Sequence, residues 1–215
     1  MRFKRSLFVM SMAALGVVSL NAGTISLQTT PAGATAIPSL VGATVINFDS
    51  TTPGTYSSLT ISGVTFTADA GNLIWIDNAF IGSYNNFGTQ SLHNNYDPQS
   101  FNTLTMNFAS TVSAFGFFWG ASDSQWTLSA YNSSHTLIES FLLPVTGPSN
   151  AGDFVGLFDA GIASATLSGV GSDYIFVDNF AFNAGTSTAT PEPASILLVA
   201  GGLAAVLFRR RLISR

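Results

Sequence analysis

The stretch GNLIWIDNAFIGSYNNFGTQSLHNNYDPQS, residues 71–100, holds the densest set of side chains suited to meeting a ligand. Trp75, Tyr84 and Tyr96 offer flat apolar ring faces, and His93, Asp97, Asn85, Asn86, Asn94 and Asn95 offer polar groups between them. A neutral sugar has an apolar C–H face edged by hydroxyls, so rings combined with amides and a carboxylate suit it. Trp75, Tyr84, His93, Tyr96 and Asp97 are therefore the candidate ligand-binding set. No clean alternation runs through the stretch, which reads as loops, where binding groups concentrate. Trp119 and Trp126 fall in strand patterns and read as core.

Two carboxylates form a second candidate. Asp49 in NFDS and Asp178 in VDNF sit near opposite ends of the body. Calcium takes about six to eight oxygen ligands, and a body without internal cations would gain from one. A structural calcium ion at Asp49 and Asp178 is the one cofactor the sequence suggests. The alternative has Asp49 capping a turn and Asp178 accepting from loop amides. EF-hand spacing is absent.

Nothing assembles a catalytic set. Glu139 is the single Glu outside the tail triplet described below, and it lies in a strand pattern. Glycoside hydrolysis needs two carboxylates. His93 and His135 are far apart in sequence, and no HExxH or GxSxG occurs. The chain reads as a non-enzyme, and a secreted glycan hydrolase is the least supported reading.

Charge narrows the partners further. The chain has seven Lys and Arg, at positions 2, 4, 5, 209, 210, 211 and 215. Between Ser6 and Phe208 there are none, while all eleven Asp and Glu lie there, so that stretch carries 0 − 11 = −11. Nucleic-acid binding relies on Lys and Arg neutralising phosphates and is excluded. A P-loop lacks its lysine. With no cysteine, disulfides, thiolate metal sites and a thiol nucleophile are excluded too.

Both ends read as addresses. At the N-terminus three basic residues precede an apolar run, Leu7 to Leu20, and then Asn21, Ala22 and Gly23. This is the layout of a secretory signal peptide over 1–22, cleaved between Ala22 and Gly23. At the C-terminus, Pro191, Glu192 and Pro193 precede an uncharged stretch over about 194–208 and a basic stop at Arg209, Arg210 and Arg211. As a helix, that 15-residue stretch would be about 22 Å long, short of the ~30 Å hydrocarbon core. The positive-inside rule keeps both basic ends cytoplasmic and puts the body outside.

This tail resembles the PEP-CTERM sorting domain, with Pro191, Glu192 and Pro193 as the signature triplet; Thr190 stands where many members have Val. The resemblance implies recognition by exosortase after passage through the export machinery. It also implies an inner-membrane intermediate and release or attachment at the surface of a Gram-negative bacterium that makes extracellular polysaccharide.

Between the ends the periodicity is that of strands. LTISGVTFTAD (59–69) alternates, with Gly63 at a bulge position. TLTMNF (103–108) puts Leu104, Met106 and Phe108 on one face, VSAFGFFWG (112–120) reads as buried on both faces, and WTLSAYN (126–132) alternates again. Further runs at 137–145, 154–159, 164–170 and 175–182 are separated by turn residues. Short strands at about 10-residue spacing indicate an all-β fold, an antiparallel β-sandwich or jelly roll. It is flanked by the N-terminal signal helix and a short C-terminal transmembrane helix. The expected domains are a lead-in over 23–44, the sandwich over 45–183, a linker over 184–190 and the tail over 191–215. INFDS, GVTFT and YIFVDNFAF give the body a resemblance to β-sandwich ectodomains of PEP-CTERM proteins and to carbohydrate-binding jelly rolls.

The expected function is that of an exported surface or extracellular-matrix protein with a structural or adhesive role in extracellular polysaccharide. The alternative is a carbohydrate-binding module for a neutral glycan.

Overall fold

The computed structural model describes residues 23–27, 37–94, 100–147, 153–170 and 172–184. The expected signal peptide (1–22), the expected linker beyond residue 184, the tail (191–215), Tyr96 and Asp97 lie outside them. Among the described residues no helix is long and apolar enough to cross a membrane.

Twelve strands form: β1 (Gly23–Leu27), β2 (Thr44–Ile46), β3 (Gly54–Tyr56), β4 (Ser58–Ile61), β5 (Val64–Ala68), β6 (Ile74–Asp77), β7 (Ser91–His93), β8 (Thr103–Gly120), β9 (Thr127–Tyr131), β10 (Leu137–Leu142), β11 (Phe154–Ser168) and β12 (Phe176–Ala184). Their ladders are antiparallel.

Two long strands build the sandwich. The first half of β8 pairs with β5, and with the second half of β11, which also pairs with β9. The second half of β8 pairs with the first half of β11 and with β12. Beyond β12 follow β2, β7, β6 and β3, while β1 lies outside β11. β8 and β11 thus belong to both layers, and the ladder between them slips in register between Phe158 and Ser164, where they turn the corner.

Alternation explains the interior. Leu104 and Met106 are fully buried, as are Val64, Phe66, Leu128 and Ala130 from neighbouring strands. The opposite layer supplies Phe115, Phe117, Trp119, Val177 and Phe180 to the same core. Phe180 sits among Phe66, Phe115, Phe117 and Phe108, with ring centroids 5.3, 5.9, 6.0 and 6.2 Å away. Burying each such ring stabilises the fold by about 2–3 kcal/mol.

Two sequence expectations need correction. Residues 59–69 are not one strand bulged at Gly63. Ser62 and Gly63 have φ of 49° and 83°, the positive pair that a two-residue primed turn requires, and they close the β4–β5 hairpin. The stretch 23–44, expected as a lead-in, contributes β1 to the sheet, and Ile37 and Leu40 are buried from it. These two pack on the outer face against Ala114, Phe118, Phe154 and Ala181.

Candidate functional site

The outer face of β6, β7 and β12 carries the polar and aromatic groups of the 71–100 stretch. β6 points Ile74 and Ile76 into the core, so Trp75 and Asp77 face outward, half-buried. Trp75 pairs across the ladders with Thr55 on one side and His93 on the other. On β7 Leu92 points inward, yet Ser91 and His93 are fully buried as well. The rings of Tyr174 and Phe176 lie against His93, each at a centroid distance of 5.4 Å, and the segment 78–90 lies beside them.

That segment is fastened at many points. Asp77 Oδ1 accepts the Ala79 N–H at 2.8 Å. Asn86 Nδ2 donates to the Ala79 carbonyl at 2.8 Å, and the Gly82 N–H donates to the Asn86 carbonyl at 2.8 Å. Asn85 Nδ2 reaches the Trp119 carbonyl at 2.8 Å and Asp153 Oδ2 at 3.2 Å. Burial raises the Asp153 carboxyl above its ordinary value, with the Asn85 bond acting against it. The Tyr84 carbonyl lies against Gly120, in space that any Cβ would fill.

Asp49 and Asp178 hold the far end of the segment. Asp49 Oδ1 accepts the Thr89 N–H at 2.6 Å, the Thr89 hydroxyl at 3.0 Å and the Gln90 N–H at 3.2 Å. Its Oδ2 accepts from Asn47 Nδ2 at 3.0 Å. Asp178 accepts the Phe87 N–H on Oδ2 at 2.7 Å and the Asn179 N–H on Oδ1 at 2.6 Å. Burial pushes the Asp178 carboxyl up to about 7 against these two donors, and the Asp49 charge adds to the rise. The sequence-derived pair therefore does come together, as a clamp on loop amides. Each of its four oxygens accepts at least one N–H or O–H donor. Among the described residues no group of three or more Asp, Glu or His could hold a metal ion.

At the near end lies an aromatic cluster. Phe80 is 58% exposed. Its ring meets Tyr84, Tyr174 and Phe176 edge-on at centroid distances of 5.7, 5.9 and 6.4 Å. Tyr84 stacks on Phe176 at 6.2 Å with planes 7° apart. Beneath them His93 Nε2 pairs with Asp77 Oδ1 at 2.8 Å, and His93 Nδ1 with the Tyr174 hydroxyl at 3.2 Å. A carboxylate only accepts, so Nε2 carries the hydrogen and Nδ1 accepts from Tyr174. Burial holds the His93 pKa below its ordinary value despite the Asp77 hydrogen bond and charge. Burial, helped by the Asp77 charge, pushes Tyr174 up to about 12.

Of the sequence-derived ligand set, the structure keeps Trp75 and Tyr84 half-buried on this face. His93 is buried, and its ring lies between Asp77 and Tyr174. Tyr96 and Asp97 lie outside the described residues. Sequence reasoning missed Phe80, Asp77 and Tyr174. The IDNAF run carried a signal for Asp77, as an Asx turn onto Ala79.

Residues 189–211 match the PEP-CTERM protein-sorting motif. No curated protein matches the sequence. Similar solved structures include the carbohydrate-binding module TmCBM61 in complex with β-1,4-galactotriose, at 15% identity over 57% of this chain and 89% of that one, with TM-score 0.32. A mutant of CBM29-2 complexed with mannohexaose is 12% identical over 66% of this chain and 92% of that one, with TM-score 0.33. The enzymatically active domain of tailspike protein 4 from bacteriophage CBA120 is 14% identical over 73% of this chain and 21% of that one, with TM-score 0.28. All three are distant likenesses.

Proposed function

We propose that this chain is a non-enzymatic protein of the bacterial surface or extracellular matrix, exported, sorted by its tail and retained with extracellular polysaccharide. The sorting motif at 189–211 carries the reading. The absence of Lys and Arg between Ser6 and Phe208 supports it, since every basic residue is placed where it sets topology. Exosortase is the processing partner. The route runs through the inner membrane to the surface of a Gram-negative cell. Cleavage between Ala22 and Gly23 would release β1 at its first residue, where the Phe158 ring fills the space of a side chain.

Changing Pro191, Glu192 and Pro193 together to Ala tests the reading. The full-length chain should then accumulate in the inner membrane, detected by fractionation and immunoblot. Unaltered processing and surface arrival would defeat it.

The aromatic cluster around Phe80 favours a second reading, in which the sandwich is itself a module for a neutral glycan. Its exposed ring against Tyr174, whose hydroxyl meets the His93 that pairs with Asp77, is the supporting observation.

A further inference from the structure

Phe80, Tyr84 and Asn85 hold φ of 54°, 56° and 60°. Bulky side chains enter this left-handed region at a cost of about 1–3 kcal/mol each, and such strain gathers at functional sites. The Phe80 ring is left in solvent, although burying a Phe ring is worth about 2–3 kcal/mol. The ring is nevertheless fixed in place. Tyr84, Tyr174 and Phe176 meet it edge-on, and Asp77 holds the N–H of Ala79, directly before it. Both Asp77 bonds fall on Oδ1, and the side chain is 39% exposed.

We propose that Phe80 is the stacking platform of a neutral-glycan subsite, taking the C–H face of one sugar ring while Asp77 and the Tyr174 hydroxyl meet the hydroxyls at its edge. This deepens the second reading above and rests on the chain reaching a polysaccharide layer. The size of the patch fits a sugar unit. Among the described residues, the other large apolar side chains that are well exposed, Val41, Val45, Leu137, Leu142, Val145 and Val170, lie on other segments. One well-exposed ring held by its aromatic neighbours suits one sugar face, whereas a protein interface needs a broader apolar core. Charge sets the class: with no cation between Ser6 and Phe208 and eleven acidic residues there, anionic glycans and phospholipid headgroups are repelled. The strain also serves preorganisation, because a platform fixed before binding loses little freedom on contact.

Affinity electrophoresis of the full chain in mild detergent tests this, in native gels containing neutral galactan, neutral glucomannan or anionic alginate. Wild type should be retarded by at least one neutral polysaccharide and not by alginate. Phe80→Ala should weaken that retardation about tenfold or more in apparent Kd, with an unchanged circular dichroism spectrum. Phe80→Trp, which restores a ring face, should retain it. The inference is overturned if wild type moves freely in both neutral gels, if Phe80→Ala is retarded like wild type, or if Phe80→Trp fails as Phe80→Ala does. Surface fractionation of the wild type runs alongside. A sorted protein that binds no glycan removes the subsite and leaves the sorting reading standing; a glycan-binding protein that never leaves the inner membrane does the reverse.

Discussion

The backbone carbonyl of Tyr84 rests on Gly120, where a Cβ would have to be. The segment 78–90 can lie flat on β8 only because residue 120 has no side chain. Gly120→Ala should lift the segment and cost about 1–3 kcal/mol, the usual price of overpacking a filled site. Urea unfolding should show a lower midpoint at unchanged slope, and limited proteolysis should cut first within 78–90. An unmoved midpoint would mean that the segment yields freely.

Asp178 makes stability depend on pH. Its folded pKa of about 7 lies above the ~3.9 of a free Asp. Its contribution is therefore complete below about pH 4 and is lost as pH rises through about 7. Comparing wild type with Asp178→Asn by chemical denaturation from pH 4 to 8 should show wild type losing ground steadily, by a few kcal/mol at most. His93 works in the opposite sense. Burial depresses its pKa, so its contribution is complete above the ordinary value of about 6.5 and fades as pH falls toward the folded one. A pH-independent difference between wild type and Asp178→Asn would show that Asp178 stays ionised throughout.

Asp173 gathers three donors at the mouth of the core. The N–H groups of Asp123 and Ser124 donate to it at 2.8 and 3.0 Å, and Trp126 Nε1 at 2.8 Å. Trp126 is fully buried, so Asp173→Ala leaves its indole N–H without a partner, at a cost of about 3 kcal/mol with the two amides added. Asp173→Asn keeps one oxygen and should fall between. Thermal melts should rank wild type, Asn, then Ala, and the near-UV tryptophan signal should change most in Ala.

Strands were legible wherever one face alone is buried, because period two then appears directly in the residues. Leu104, Met106 and Phe108 are the clear case. The continuity of β8 was not legible. Ala109, Ser110 and Thr111 are exposed at its bend and read like a connection between two strands, although the ladder runs past them. At the site, the meeting of Asp49 and Asp178 was legible from their places beside the first and last runs of the body. Their role was decided by donors from a segment about 40 and 90 positions away, which no local pattern reports. His93 looked like a loop residue because its burial comes from Tyr174, 81 positions downstream. Phe80 was lost among 18 phenylalanines, since nothing local distinguishes it from buried ones such as Phe48, which shares its positive φ.

β12 is gripped along both edges, by β8 on one side and by β2 and β7 on the other, and the chain continues from it toward the sorting motif. A pull applied through a tethered C-terminus would therefore act along β12 and load these ladders in shear. Their hydrogen bonds would have to give way together, unlike those of a hairpin peeled open from one end.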